Sequence, residues 1–123
     1  MTSYTLPPFT SLATRPYEAQ PLTTVTFAVV KSSGGNRYRV DGGREHTFTS
    51  GLTYLLLLDE TTLNHPLILS TYQDRGDAFI EQAGFVGPGR FAWKARNAGR
   101  LYAHCRYHEN MGSELDLKVI AHD

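Results

Sequence analysis

Between Leu101 and Val119 the chain reads LYAHCRYHENMGSELDLKV, and no other stretch restricts its folding as strongly. Leu101, Ala103 and Cys105 alternate with Tyr102 and His104, while Leu115, Leu117 and Val119 alternate with Glu114, Asp116 and Lys118. A period of two sends successive side chains to opposite faces, so both flanks predict half-buried strands joined by a short loop. That loop carries Cys105, His108 and Met111, which bring a thiol, an imidazole and a thioether close together in sequence. Soft sulfur donors and imidazole, completed by a second imidazole, form the ligand set of a mononuclear copper electron-transfer site. His65, at the mouth of the run HPLILS, is the candidate for the missing imidazole.

These residues resemble the cupredoxin family. Its members place one His near the end of an early strand and the remaining ligands in a Cys, His, Met loop before the last strand. Here Asn64-His65-Pro66-Leu67 stands for the first element, and Tyr102 through Gly112, with its tight C-x2-H-x2-M spacing, for the second. The pattern is similar to amicyanin and closer still to single-domain, marine and phage-associated cupredoxin-like sequences. Those show G-N-x-Y-x-x-D-G, then H-P-L, then Y-x-C-x-x-H-x-x-M-G. The first of these maps onto Gly35 through Gly42, and the likeness covers about residues 23–121. It implies a type 1 copper site held by His65, Cys105, His108 and Met111.

The 123 residues, 41% of them hydrophobic, suffice for one domain with a single core. Twelve basic and twelve acidic side chains cancel, so the basic excess of a nucleic-acid or anionic-membrane binder is missing. No apolar run reaches the ~18 residues of a membrane span, Leu55–Leu58 with its neighbours being the longest candidate, and a soluble chain is expected. A single cysteine excludes an intrachain disulfide and leaves Cys105 as buried filler, reactive thiol or metal ligand. MTSYTLPPFTSL has neither the basic start nor the apolar core of a secretory signal. The expected location is a virion or the cytoplasm of the producing cell, or the periplasm or exterior if Met1 is not the natural start.

Residues 1–22 read as an extended arm, because Pro7, Pro8, Pro16 and Pro21 break any helix while Tyr4, Leu6, Phe9, Leu12 and Tyr17 supply apolar anchors. Residues 23–123 read as an all-β, Greek-key β-sandwich. TTVTFAVV from Thr23 is the first strand, Tyr38 and Val40 lie on a second ending at Asp41-Gly42-Gly43, and Thr47-Phe48-Thr49 then leads to a Ser50-Gly51 turn. LTYLLLL is apolar on both faces and predicts a central strand covered on each side. HPLILS follows, with Pro66 at a strand start where its missing amide costs no ladder bond. Residues 73–90 form an excursion: Asp77–Gly84 fits one or two capped helical turns, or a short edge strand. Phe91, Trp93 and Ala95 then alternate into the ligand-bearing strand.

Each ligand has a plainer reading. A lone buried Cys is usually a small hydrophobe, Met111 alone a core plug, and His65 alone a hydrogen-bonded strand-end residue. It is their joint spacing that favours a metal. Zinc suits two His and one Cys, but a thioether is a poor zinc ligand and Glu109 beside His108 should face solvent. Alternation puts His104 on the face opposite Cys105. A multicopper oxidase would need His on both sides of the Cys and an H-P-x-H-x-H run, where this chain has Arg106 and Leu67-Ile68-Leu69. Plastocyanin-like members usually carry Asn after the first His, whereas Pro66 here removes one possible amide donor to the Cys105 sulfur, so a different reduction potential is expected.

Two uses fit such a chain, neither of them enzymatic. The first is a copper-binding structural or accessory component of a larger assembly, for example a virion decoration or cement protein, attached to other protein subunits through the arm. The alternative is a small blue-copper electron carrier that meets a redox partner protein near His108. Nucleic acid and membrane are not expected as partners.

Overall fold

Thr23 opens a run of β-branched residues that pairs on both sides, and the sandwich is assembled outward from it. The computed structural model describes residues 22–32, 34–79 and 83–122. In chain order the strands are β1 Thr23–Ser32, β2 Gly35–Val40, β3 Glu45–Thr49, β4 Thr53–Leu58, β5 Leu67–Ser70, β6 Gly84–Phe85, β7 Gly89–Lys94, β8 Gly99–Cys105 and β9 Asp116–Ile120. A 3-10 turn at Glu60–Thr62 precedes β5, and a one-turn helix, α1 at Arg75–Ala78, follows it. One sheet runs β2-β1-β4-β7 and the other β3-β9-β8-β5-β6. The expected all-β sandwich is therefore the observed architecture. The expected arm lies, except for Leu22, outside the described residues.

Both sheets are mixed. β1 lies parallel to β4, and β3 parallel to β9, while the remaining pairs are antiparallel. β4 is central, between β1 and β7, but only one of its faces is sealed: Tyr54, Leu56 and Leu58 are buried, Leu55 and Leu57 half-buried. The second sheet covers a single face of the first, which is why the outward leucines keep some exposure. Residues 73–90 use both readings of the sequence in succession. Asp74 caps α1 by accepting a hydrogen bond from the Asp77 amide, and β6 then adds a two-residue edge strand to β5. Among the described residues no helix is long and apolar enough to cross a membrane.

The core lies where the inward faces meet. Phe48 from β3 is fully buried, with Tyr54 and Trp93 of the opposite sheet both edge-on to it at 5.0 Å between centroids. Val25, Phe27, Tyr38, Leu56, Leu67 and Leu117 continue the layer to the end where Cys105 and Met111 close it.

An ion-pair network ties the last part of the β8–β9 loop to the first sheet. Glu114 forms an ion pair with Arg39 at 2.8 Å and accepts a hydrogen bond from the Ser32 hydroxyl at 3.1 Å, with Arg44 at 3.8 Å. Burial pushes the Glu114 carboxyl up, but hydrogen bonds from Arg39 and Ser32 and the charges of Arg44 and Arg39 outweigh it and hold the carboxyl below its ordinary value of 4.5. A carboxyl lowered on folding contributes stability above the unfolded value and loses it as pH falls through the folded one. Glu114→Gln is therefore expected to cost stability near neutral pH and progressively less in acid. Urea midpoints from about pH 6 to about pH 3 measure this, and a gap that stays constant across that range contradicts it.

Candidate metal centre

His65 is delivered by a capped turn. The Asp59 side chain accepts from the Thr61 amide at 2.9 Å, and buried Thr62 donates its hydroxyl to the Asp59 carbonyl at 2.7 Å. The His65 amide then donates to the Thr62 carbonyl at 2.8 Å, after Asn64 has taken a left-handed conformation with φ 68°, which asparagine tolerates better than most residues. Two residues later Leu67 of β5 stands opposite Cys105 of β8, so the sheet register itself brings the first His beside the thiol.

Cys105 ends β8 on its buried face, and the loop after it is held from several sides. The Arg106 amide donates to the Pro66 carbonyl at 3.0 Å. From α1, Arg75 donates through Nε to the Cys105 carbonyl at 3.0 Å and through Nη2 to the Arg106 carbonyl at 2.6 Å, with its guanidinium 4.8 Å from the Phe79 ring centroid. Further on, the Tyr38 amide donates to the Met111 carbonyl at 2.7 Å. Gly112 then lies so close to β8 that a Cβ built on it would come within 1.9 Å of the Ala103 carbonyl oxygen.

These supports bring three of the four predicted donors together. Cys105 Sγ is 3.5 Å from His108 Nδ1 and 3.9 Å from His65 Nδ1, and one ligand atom from each residue lies within 4.8 Å of the others. An ion roughly 2.0 Å from each nitrogen and about 2.3 Å from the sulfur, with angles near tetrahedral or trigonal, requires N···S separations of roughly 3.5–3.7 Å. The observed distances bracket that range, so the donor set fits a single ion. Met111, the fourth predicted donor, is buried in the same apolar cluster as Cys105. The site is graded from inside to outside: Cys105 is buried, His65 half-buried and His108 exposed, with the two rings 4.9 Å apart. Desolvation, then the neighbouring His108 charge, lowers the His65 pKa and favours the neutral imidazole that a metal needs.

No known family model matches this chain. No curated protein matches it either. The functional reading therefore rests on the geometry of the site.

His104 lies on the opposite face from Cys105, as alternation requires, with Nε2 3.0 Å from the Tyr72 carbonyl oxygen. The sequence did not reveal the supporting roles of two residues. Arg75 sits in the excursion, where nothing local marks a guanidinium that reaches across to β8. Tyr38 was detectable in principle: it alternates onto the buried face of β2, and a buried tyrosine needs a partner for its hydroxyl. It donates to the His65 carbonyl at 2.9 Å, with the Pro66 carbonyl at 3.2 Å. Burial, and then the nearby charge and hydrogen bond of Cys105, push the phenol well above its ordinary pKa, so it stays protonated.

Proposed function

We propose that this domain binds one copper ion through His65, Cys105 and His108, with the Met111 thioether as a weak fourth ligand, and carries single electrons. The observation that supports this is the convergence of one thiol and two imidazoles at 3.5 and 3.9 Å. Copper bound to such a set cycles between its two common oxidation states and supplies the electron. The chain's own contribution is a fixed geometry. Cys105 is set by the β5–β8 ladder and Arg75, His65 by its capped turn, and the Met111 carbonyl by Tyr38. Donors that cannot relax hold one arrangement for both oxidation states, which keeps reorganisation small.

The exposed edge of His108 offers the route out, and Tyr107, about two-thirds exposed, stands next to it as an apolar contact for a partner protein. Zinc suits this set less well because it gains little from a thioether, and the one carboxylate beside His108, Glu109, is exposed. The reading as a subunit of a larger assembly depends on residues 1–22, of which Leu22 alone is among the described residues, so the electron carrier is the function advanced.

The test is titration of the metal-free, reduced protein with Cu(II), with Zn(II) as competitor. The expected result is one equivalent bound and an intense visible band from thiolate-to-copper charge transfer, which an electron donor bleaches reversibly. A protein that stays colourless with copper, or that takes zinc while excluding copper, contradicts the proposal.

A further inference from the structure

Arg75 is bonded differently from Arg39, Arg44 and Arg100, which also reach the β8–β9 loop. Arg39 and Arg44 face the Glu114 carboxylate at 2.8 and 3.8 Å, and Arg100 faces Asp116 at 3.6 Å, so each of those charges has an opposite one beside it. Arg75 gives its Nε to the Cys105 carbonyl at 3.0 Å and its Nη2 to the Arg106 carbonyl at 2.6 Å, with the Phe79 ring centroid 4.8 Å from its guanidinium. These partners are neutral, and among the described residues no carboxylate pairs with it. Asp74, its neighbour in sequence, turns its carboxylate to the Asp77 amide instead. The peptide between residues 105 and 106 is gripped at both ends, since its N–H, on Arg106, donates to the Pro66 carbonyl at 3.0 Å. The carbonyl oxygen and the sulfur belong to one cysteine, which puts a full positive charge within roughly 8 Å of Sγ.

We infer that Arg75 is a positioning residue of the metal centre whose uncompensated charge sets the ion's preference for its reduced state. This rests on the copper reading given above. With the thiolate counted and the imidazoles neutral, Cu(II) leaves the site a net positive charge, and the gain of one electron, with no proton, removes it. A fixed cation nearby repels the first state and not the second, so it raises the reduction potential. Unit charges that far apart, at the effective dielectric of a protein site and with Arg75 half-buried, change such an equilibrium by roughly tenfold. The planar fork seated on two carbonyls keeps the charge at a constant distance in both oxidation states. Charge also separates metals: Zn(II) is disfavoured beside Arg75 as Cu(II) is, whereas Cu(I) is not.

Arg75→Gln keeps an amide donor and drops the charge, while Arg75→Lys keeps the charge and loses the fork. Loosening the loop should weaken the binding of every ion in both variants, whereas the charge should show only in the ratios between ions. In Arg75→Gln the relative affinity for Cu(I) and Cu(II) is expected to move about tenfold towards Cu(II), equivalent to 59 mV for one electron. The relative affinity for Cu(I) and Zn(II) should move about tenfold towards Zn(II). In Arg75→Lys both ratios should stay within about twofold of wild type. Titration of the metal-free, reduced proteins with each ion measures them. Wild-type ratios in Arg75→Gln overturn the inference, and so does a shift in Arg75→Lys as large as in Arg75→Gln, which would assign the effect to loop geometry rather than charge. In either case the proposed function stands. A wild-type protein with no copper band overturns both.

Discussion

Cys105→Ser should leave a folded protein that no longer colours with copper. The visible band requires a thiolate donor, and a serine hydroxyl stays a neutral alcohol at any pH at which the protein is folded. Loss of a residue that merely orients a ligand typically weakens metal binding about 10–100-fold, so loss of the ligand at the centre of the set should exceed that range. The fold should hardly notice. Serine is close in size to cysteine, and the buried hydroxyl has the His108 ring nitrogen, 3.5 Å from the sulfur it replaces, as a hydrogen-bond partner, so the metal-free form is expected within about 1 kcal/mol of wild type. Copper titration followed by absorbance, with a thermal melt of the metal-free variant, separates the two effects. Retention of the band, or of wild-type copper affinity, would remove Cys105 from the site.

Gly112→Ala should damage the fold and the site together. The added methyl would come within 1.9 Å of the Ala103 oxygen and 2.7 Å of its carbonyl carbon, both main-chain atoms of β8. β8 is fixed between β5 and β9, so it cannot withdraw, and the loop must lift instead. Met111, 2% exposed, and Leu115, 5% exposed, flank the glycine and would be drawn from the core with it. Overpacking alone typically costs about 1–3 kcal/mol, and removing one large apolar side chain from a core about 2–5. A loss of at least about 3 kcal/mol follows, against a total of roughly 5–15 for an ordinary domain. The melting temperature should fall by more than about 10 °C, and copper affinity with it. Wild-type melting and binding would mean that the loop does not lie against β8 as described.

The sequence disclosed the parts of this fold and site that have a local period. The alternation of Leu101, Ala103 and Cys105 sets which side chains enter the core, and it also assigns Cys105 and His104 to opposite faces. It could not disclose pairing between distant segments. Nothing near Thr23 signals that β1 runs parallel to β4, and nothing near Glu45 that β3 runs parallel to β9. LTYLLLL suggested two covered faces because apolar content alone does not tell how many layers lie above a sheet. The supporting roles of Arg75 and Tyr38 escaped notice for a related reason: each acts on main-chain carbonyls, and a carbonyl has no side-chain letter to mark it.

The register that sets Leu67 opposite Cys105 joins stretches far apart along the chain, since Cys105 and His65 are separated by 40 residues. An ion shared between them is a removable crosslink, closing a long loop that the unfolded chain would have to close at an entropic cost. Fold and metal supply then become one linked equilibrium. An ion that binds the folded chain alone, present at a hundred times its Kd, adds about 2.7 kcal/mol to the unfolding free energy. The midpoint of unfolding would thus report the free copper concentration, and a chelator would act on this β-sandwich as a mild denaturant.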